Sequence, residues 1–160
     1  GRVLAADLGE DKLALARQAG ADVSLDARAG DLAEQVKSVT DGRGADAAID
    51  VVGIRETLTS AMRALGMGGR LVIIGTKPQA VYGADPSFTV NPVDFLHRGL
   101  ELHSSRYVTL SEIEQTLELV RQGRIKPVVT RLFELAEVQH AHELIRNNQT
   151  MGRVAMRIAR

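Results

Sequence analysis

The chain has 160 residues, is 44% hydrophobic and 25% charged, and its 20 basic side chains cancel its 20 acidic ones. These values suit a globular protein with one ordinary core and exclude disorder, a spanning helix of about 20 apolar residues, and the basic footprint of a nucleic-acid or anionic-membrane binder. Cysteine is absent, which removes disulfides, thiolate nucleophiles and Cys-built zinc sites from this segment; with no signal peptide or spanning apolar run read in the sequence, the cytoplasm is the expected setting.

Strands and helices alternate through the first hundred residues, the pattern of right-handed βαβ crossovers in a parallel sheet. Arg2 to Asp7 reads as a buried strand that closes on a carboxylate, and a helix from about Asp11 to Ala19 stops at Gly20. In a dinucleotide-binding unit, the acidic residue ending the second strand accepts the adenosine ribose hydroxyls, about 20 residues after a glycine-rich turn. Only Gly1 could supply that turn here, so the chain is expected to begin inside a fold.

Val23 to Leu25 is a short strand, and Asp31 to Val39 an amphipathic helix ended by Asp41-Gly42-Arg43-Gly44. Ala47 to Val52 is the next buried strand, running into Gly53. Thr57 to Leu65 forms a helix with Leu58, Ala61, Met62 and Leu65 on one face, closed by Gly66-Met67-Gly68-Gly69. Arg70 to Gly75 is an apolar strand suited to burial on both faces. Lys77 to Pro92 holds three of the four prolines and reads as a functional or interface loop. Leu100 to Ser104 alternates as an edge strand does.

From Thr109 a capped helix runs to Gln122 with Ile113, Leu117 and Val120 inward, ended by Gly123. Pro127 to Thr130 is extended, Leu135 to Arg146 is a second helix, and Arg153 to Ile158 a last strand. A boundary near Ser105 gives two parts, 1–105 and 106–160.

The strand-end Asp7 with Lys12 five residues on, Gly20-Ala21-Asp22, Gly44-Ala45-Asp46, Asp50-Val51-Val52-Gly53, and Gly68 to Gly75 follow in order. Gly123-Arg124-Ile125-Lys126-Pro127 and Gly152-Arg153-Val154 complete the series. In order and spacing these pieces resemble the medium-chain dehydrogenases of the zinc-type alcohol dehydrogenase family over the whole chain. The resemblance implies an α/β fold: a doubly wound Rossmann-like parallel sheet, incomplete because its first strand and glycine loop are missing. A C-terminal segment returning to the catalytic domain follows.

By the same resemblance, the parent enzyme transfers hydride between an alcohol and NAD, and this segment carries no catalytic residue and no metal ligand. The zinc ligands and proton relay would lie in the part that precedes it, leaving the segment inactive alone. Asp7 would bind the ribose hydroxyls and repel a 2′-phosphate, with Lys12 beside it. Val52 and Gly53 would line the adenosine side, and Ile74, Gly75 and Thr76 the nicotinamide, with backbone groups pairing to its carboxamide. Asp50 reads equally as a structural hydrogen-bonding residue. Ser105 falls in a nicotinamide-contacting segment, although the family's usual glycine and tyrosine are absent from Ser104-Ser105-Arg106. Arg153 would approach the pyrophosphate. The partners implied are an alcohol, aldehyde or ketone substrate and further copies of the chain, in a dimer or tetramer joined through Leu100 to Ser104.

The missing first strand would lie at the sheet centre, so Arg2 to Asp7 and Ala47 to Val52 are expected to expose unpaired edges or to pair together. Two other readings remain. A zinc-free quinone or enoyl reductase of the same superfamily is disfavoured by the acidic strand end. An S-adenosylmethionine-dependent methyltransferase should end in a reversed strand hairpin. His140 and His142, two apart, fall on different helix faces and cannot converge on a metal.

Overall fold

Every strand pairing among the described residues is parallel, as the alternation of strand and helix requires. The computed structural model describes residues 1–76, 83, 86–147 and 149–158, in two units, Gly1–Tyr107 and Val108–Arg160. In the first, β1 (Leu4–Asp7), α1 (Glu10–Gln18), β2 (Val23–Asp26), α2 (Leu32–Ser38) and β3 (Ala45–Asp50) are followed by α3 (Arg55–Ala64), β4 (Leu65–Ile73), α4 (Pro92–Arg98) and β5 (Glu101–Ser104). The strands form a pair, β1–β2, and a three-stranded sheet ordered β3–β4–β5.

β1 and β3 are not hydrogen-bonded to each other, so each keeps an open edge. Val3, Ile49 and Val51 stand more than half exposed in or beside these strands. Of the two expectations for the edges, exposure is observed and mutual pairing is not. Two apolar clusters hold the unit together. Leu25, Ala33, Val36 and Ala64 form one, and Leu58, Leu65, Leu71 and Leu100 the other, with Ala45 against both.

α2 begins where Asp31 accepts the Ala33 N–H at 2.9 Å, and its buried Ala33 and Val36 are three apart on one face. α3 differs from expectation at both ends, starting at Arg55 and stopping at Ala64. Leu65, expected as its last residue, is extended and opens β4; the register then jumps from Ala45↔Leu65 to Ala47↔Arg70. Gly66 to Gly69, expected to close the helix, therefore forms a bulge inside the strand. Glycine permits it: a Cβ on Gly44, where φ is 81°, would fall 2.7–2.9 Å from backbone atoms of Ala64, Leu65 and Gly66. Half of the expected 77–92 loop, residues 77–82, 84 and 85, lies outside the described residues. α4, after it, was not expected; Asn91 caps it by accepting the Val93 N–H, Pro92 opens it, and Gly99 ends it in the left-handed region.

The second unit contains α5 (Leu110–Arg121), β6 (Val129–Glu134), a 3-10 turn (Leu135–Glu137), α6 (Val138–Arg146) and β7 (Arg153–Arg157). β6 and β7 are parallel neighbours, so a reversed closing hairpin is not found among the described residues. The expected 135–146 helix is divided between the 3-10 turn and α6. Thr109 and Glu112 form a reciprocal capping box at the start of α5. Its expected inward face is open instead: Ile113 is 41% and Leu117 57% exposed, and α5 buries no residue. Periodicity identifies an apolar face but not a cover for it.

Candidate functional site

The sequence-derived site residues of the first unit gather at the carboxyl ends of its strands. Asp7 ends β1. Its Oδ1 accepts the Leu8 N–H at 2.7 Å, and Lys12 Nζ, from the first turns of α1, stands 3.4 Å away. Both side chains are 46% exposed, so a carboxylate and an ammonium face solvent together where β1 enters α1. Gly9, at φ 96°, makes that turn.

Asp26 is the register partner of Asp7 on β2. It accepts from Arg28 three times, from the backbone N–H at 2.9 Å and from Nε and one terminal nitrogen at 3.2 Å each. Those hydrogen bonds hold the Asp26 carboxyl below the usual range. Sequence reasoning passed over this pair, whose signal was an Asp-x-Arg step directly after a strand.

At the end of β3 the carboxylate has a different task. Asp50 is 6% exposed, and its Oδ1 accepts the Val52 N–H at 2.9 Å and the Gly53 N–H at 2.6 Å. Of its two readings, the structure favours the hydrogen-bonding one. In-register pairing of Asp50 with Ile73, and of Ile73 with Ser104, brings Val52, Gly53, Ile74, Gly75, Thr76 and Ser105 to one sheet end. Gly53, at φ 72°, is buried, and a Cβ there would stand 2.6 Å from Thr76 Cα and collide with Gly75. A Cβ on Gly75 would in turn run into the Val51 backbone. The two glycines thus let the segments after β3 and β4 touch backbone to backbone.

The Ile74 and Gly75 N–H groups both donate to the Asp50 carbonyl, at 2.9 and 3.0 Å, and the Ser105 N–H to the Ile73 carbonyl at 3.0 Å. The N–H groups of these three residues are thus used within the sheet. In the second unit, Arg153 opens β7 with an exposed side chain, and its N–H donates to the Val128 carbonyl at 2.7 Å.

His103 Nε2 lies 3.0 Å from Glu101 Oε2, and the ring of His140 meets Phe133 edge-on at 6.0 Å. Among the described residues, no three His, Cys, Asp or Glu side chains are gathered to hold a metal ion, and no helix is long and apolar enough to cross a membrane.

The family model described as zinc-binding dehydrogenase matches residues 1–122. An NAD-dependent alcohol dehydrogenase of Sulfurisphaera tokodaii is 30% identical, over 94% of this chain and 42% of its own length. A similar protein of the same name from Sulfolobus acidocaldarius is also 30% identical, over 98% of this chain and 43% of its own. Among solved structures, the alcohol dehydrogenase of the archaeon Aeropyrum pernix superposes with a TM-score of 0.85 at 28% identity, covering 96% of this chain and 42% of that one. The chain thus spans less than half the length of the relatives it matches.

Proposed function

The chain belongs to the zinc-binding dehydrogenase family, and from that premise we propose that it is the cofactor-holding part of an NAD-dependent alcohol dehydrogenase. When bound, NAD supplies a nicotinamide carbon that exchanges hydride with the carbon of an alcohol, the product being an aldehyde or ketone. This chain's residues bind and orient that cofactor. Asp7 accepts the two ribose hydroxyls, Lys12 donates beside it, and Val52 and Gly53 border the adenosine. Ile74, Gly75, Thr76 and Ser105 border the nicotinamide, and the Arg153 fork meets the pyrophosphate.

The observation that carries this assignment is Asp7: a half-exposed strand-end carboxylate whose Oδ1 takes the Leu8 N–H and has a cation 3.4 Å away, with acceptor sites beyond those two contacts. Two vicinal hydroxyls suit such an acceptor, whereas a 2′-phosphate is repelled by it. Among the described residues no three His, Cys, Asp or Glu side chains are gathered that could hold a zinc ion, and we assign them no part in polarising the substrate oxygen. β5 is an exposed edge strand, suited to pairing with its copy across a two-fold axis into a dimer or tetramer.

Calorimetric titration of NAD and NADP into the purified protein tests the assignment. NAD binding with NADP about tenfold weaker or worse is the expected result; equal affinities, or NADP binding more tightly, would contradict it.

A further inference from the structure

The β1–β2 pair ends on two carboxylates set side by side. Asp7 and Asp26 are register partners of parallel strands, so their side chains leave the same face. Ser24, two residues before Asp26 and on that face, takes a hydrogen bond from Arg17 of α1 at 2.5 Å. Pairing continues past the strands, where the Ala27 N–H donates to the Asp7 carbonyl at 3.1 Å. Arg28 is the next residue. Its guanidinium grips both Asp26 oxygens at 3.2 Å, and one terminal nitrogen lies 3.9 Å from where a Cβ on Gly9 would stand. A cation is therefore held against the β1–α1 turn with two of its five donors on Asp26.

We propose that the Asp26–Arg28 pair is a second determinant of cofactor choice at the adenosine ribose, an inference that rests on the assignment of Asp7 to that ribose. With the pair closed, a 2′-phosphate meets Asp7, has Asp26 as a second negative neighbour, and finds the Arg28 charge offset and its Nε edge turned to Asp26. Removing the Asp26 charge deletes one repulsive group and frees a planar five-donor fork, the geometry that suits phosphate. The hydroxyls of NAD need only the Asp7 acceptors, so NAD is nearly indifferent to the change. Arg28 acts here as a specificity-determining residue held in reserve by Asp26.

Binding of NAD and NADP is measured by calorimetry for the protein, Asp26→Asn, Arg28→Ala, the double variant and Asp7→Ala, with thermal unfolding of each as the check on folding. Asp26→Asn is expected to shift the NADP-to-NAD affinity ratio toward NADP by about tenfold. Adding Arg28→Ala should cancel that gain, and Arg28→Ala alone, which leaves Asp26 uncompensated, should weaken NADP further. An unchanged ratio in Asp26→Asn, or a gain that survives in the double variant, overturns the proposal. If Asp7→Ala loses NAD affinity while the Asp26→Asn ratio stays unchanged, this inference fails alone. Full NAD affinity in Asp7→Ala overturns the ribose assignment itself, and this inference with it.

Discussion

β1 and β3 both close on an aspartate, and the chain does opposite things after each. Beyond Asp50 the backbone folds back so that two N–H groups reach one carboxylate oxygen, leaving the side chain 6% exposed. Beyond Asp7 only the Leu8 N–H is recruited before α1 begins, and the carboxylate stays 46% exposed beside Lys12. Residue type and position in the strand are the same, so neither decides the role. The following turn decides: it spends one carboxylate on the fold and leaves the other, which we assign to the cofactor, half-exposed.

The sharpest way to break this contrast is to disturb the β3 end through its glycines. Gly75→Ala should destabilise by about 3 kcal/mol or more in denaturant unfolding, because the added carbon meets the Val51 backbone rather than a side chain that could move. Near-native stability would mean that the two strand ends do not touch as described. Asp50→Ala comes next. It leaves two backbone donors without their acceptor, one of them on the buried Gly53, and should cost about 2 kcal/mol by the same measurement.

A smaller effect sharpens the β1 side. Asp26 has its carboxyl held down by Arg28, so its folded value lies below its unfolded one. The pair's contribution is then present above the ordinary aspartate range and fades as pH falls through the depressed folded value. Because the group is exposed, Arg28→Gln should flatten this acid limb only slightly, and salt should do the same. An Arg28→Gln unfolding curve with a steeper acid limb would contradict the sign.

Local chemistry made much of the fold legible. Asp31 before α2 and the Thr109–Glu112 box before α5 are patterns in which the side chain that starts the helix is visible in the sequence. Asn91-Pro92 was an equally readable cap and first-turn pair, hidden by a proline-rich stretch that suggested only a loop. Gly66 to Gly69 misled because glycine runs mark turns and bulges alike, and only pairing with β3 separates the two. The exposed Ile113 and Leu117 show that amphipathicity reports what a helix could bury, while burial depends on what lies opposite.

At the site, Asp7 was legible because strand end, carboxylate and following helix are adjacent in sequence. Asp26 and Arg28 were not, since their relation to Asp7 runs across a strand pairing. The expectation that backbone groups near Ile74 to Thr76 and Ser105 pair with a carboxamide did not distinguish donors from acceptors; the N–H groups of Ile74, Gly75 and Ser105 are used in the sheet, a pairing that sequence order alone does not show.

The most direct test of the contrast is a matched pair, Asp7→Asn and Asp50→Asn, each assayed for NAD affinity by calorimetry and for stability by unfolding. Asp7→Asn is expected to keep its stability within about 0.5 kcal/mol while NAD affinity falls by about tenfold or more, and Asp50→Asn to lose about 1 kcal/mol of stability. An Asp7→Asn protein that binds NAD as tightly as the parent would contradict the assignment of the exposed carboxylate to the cofactor.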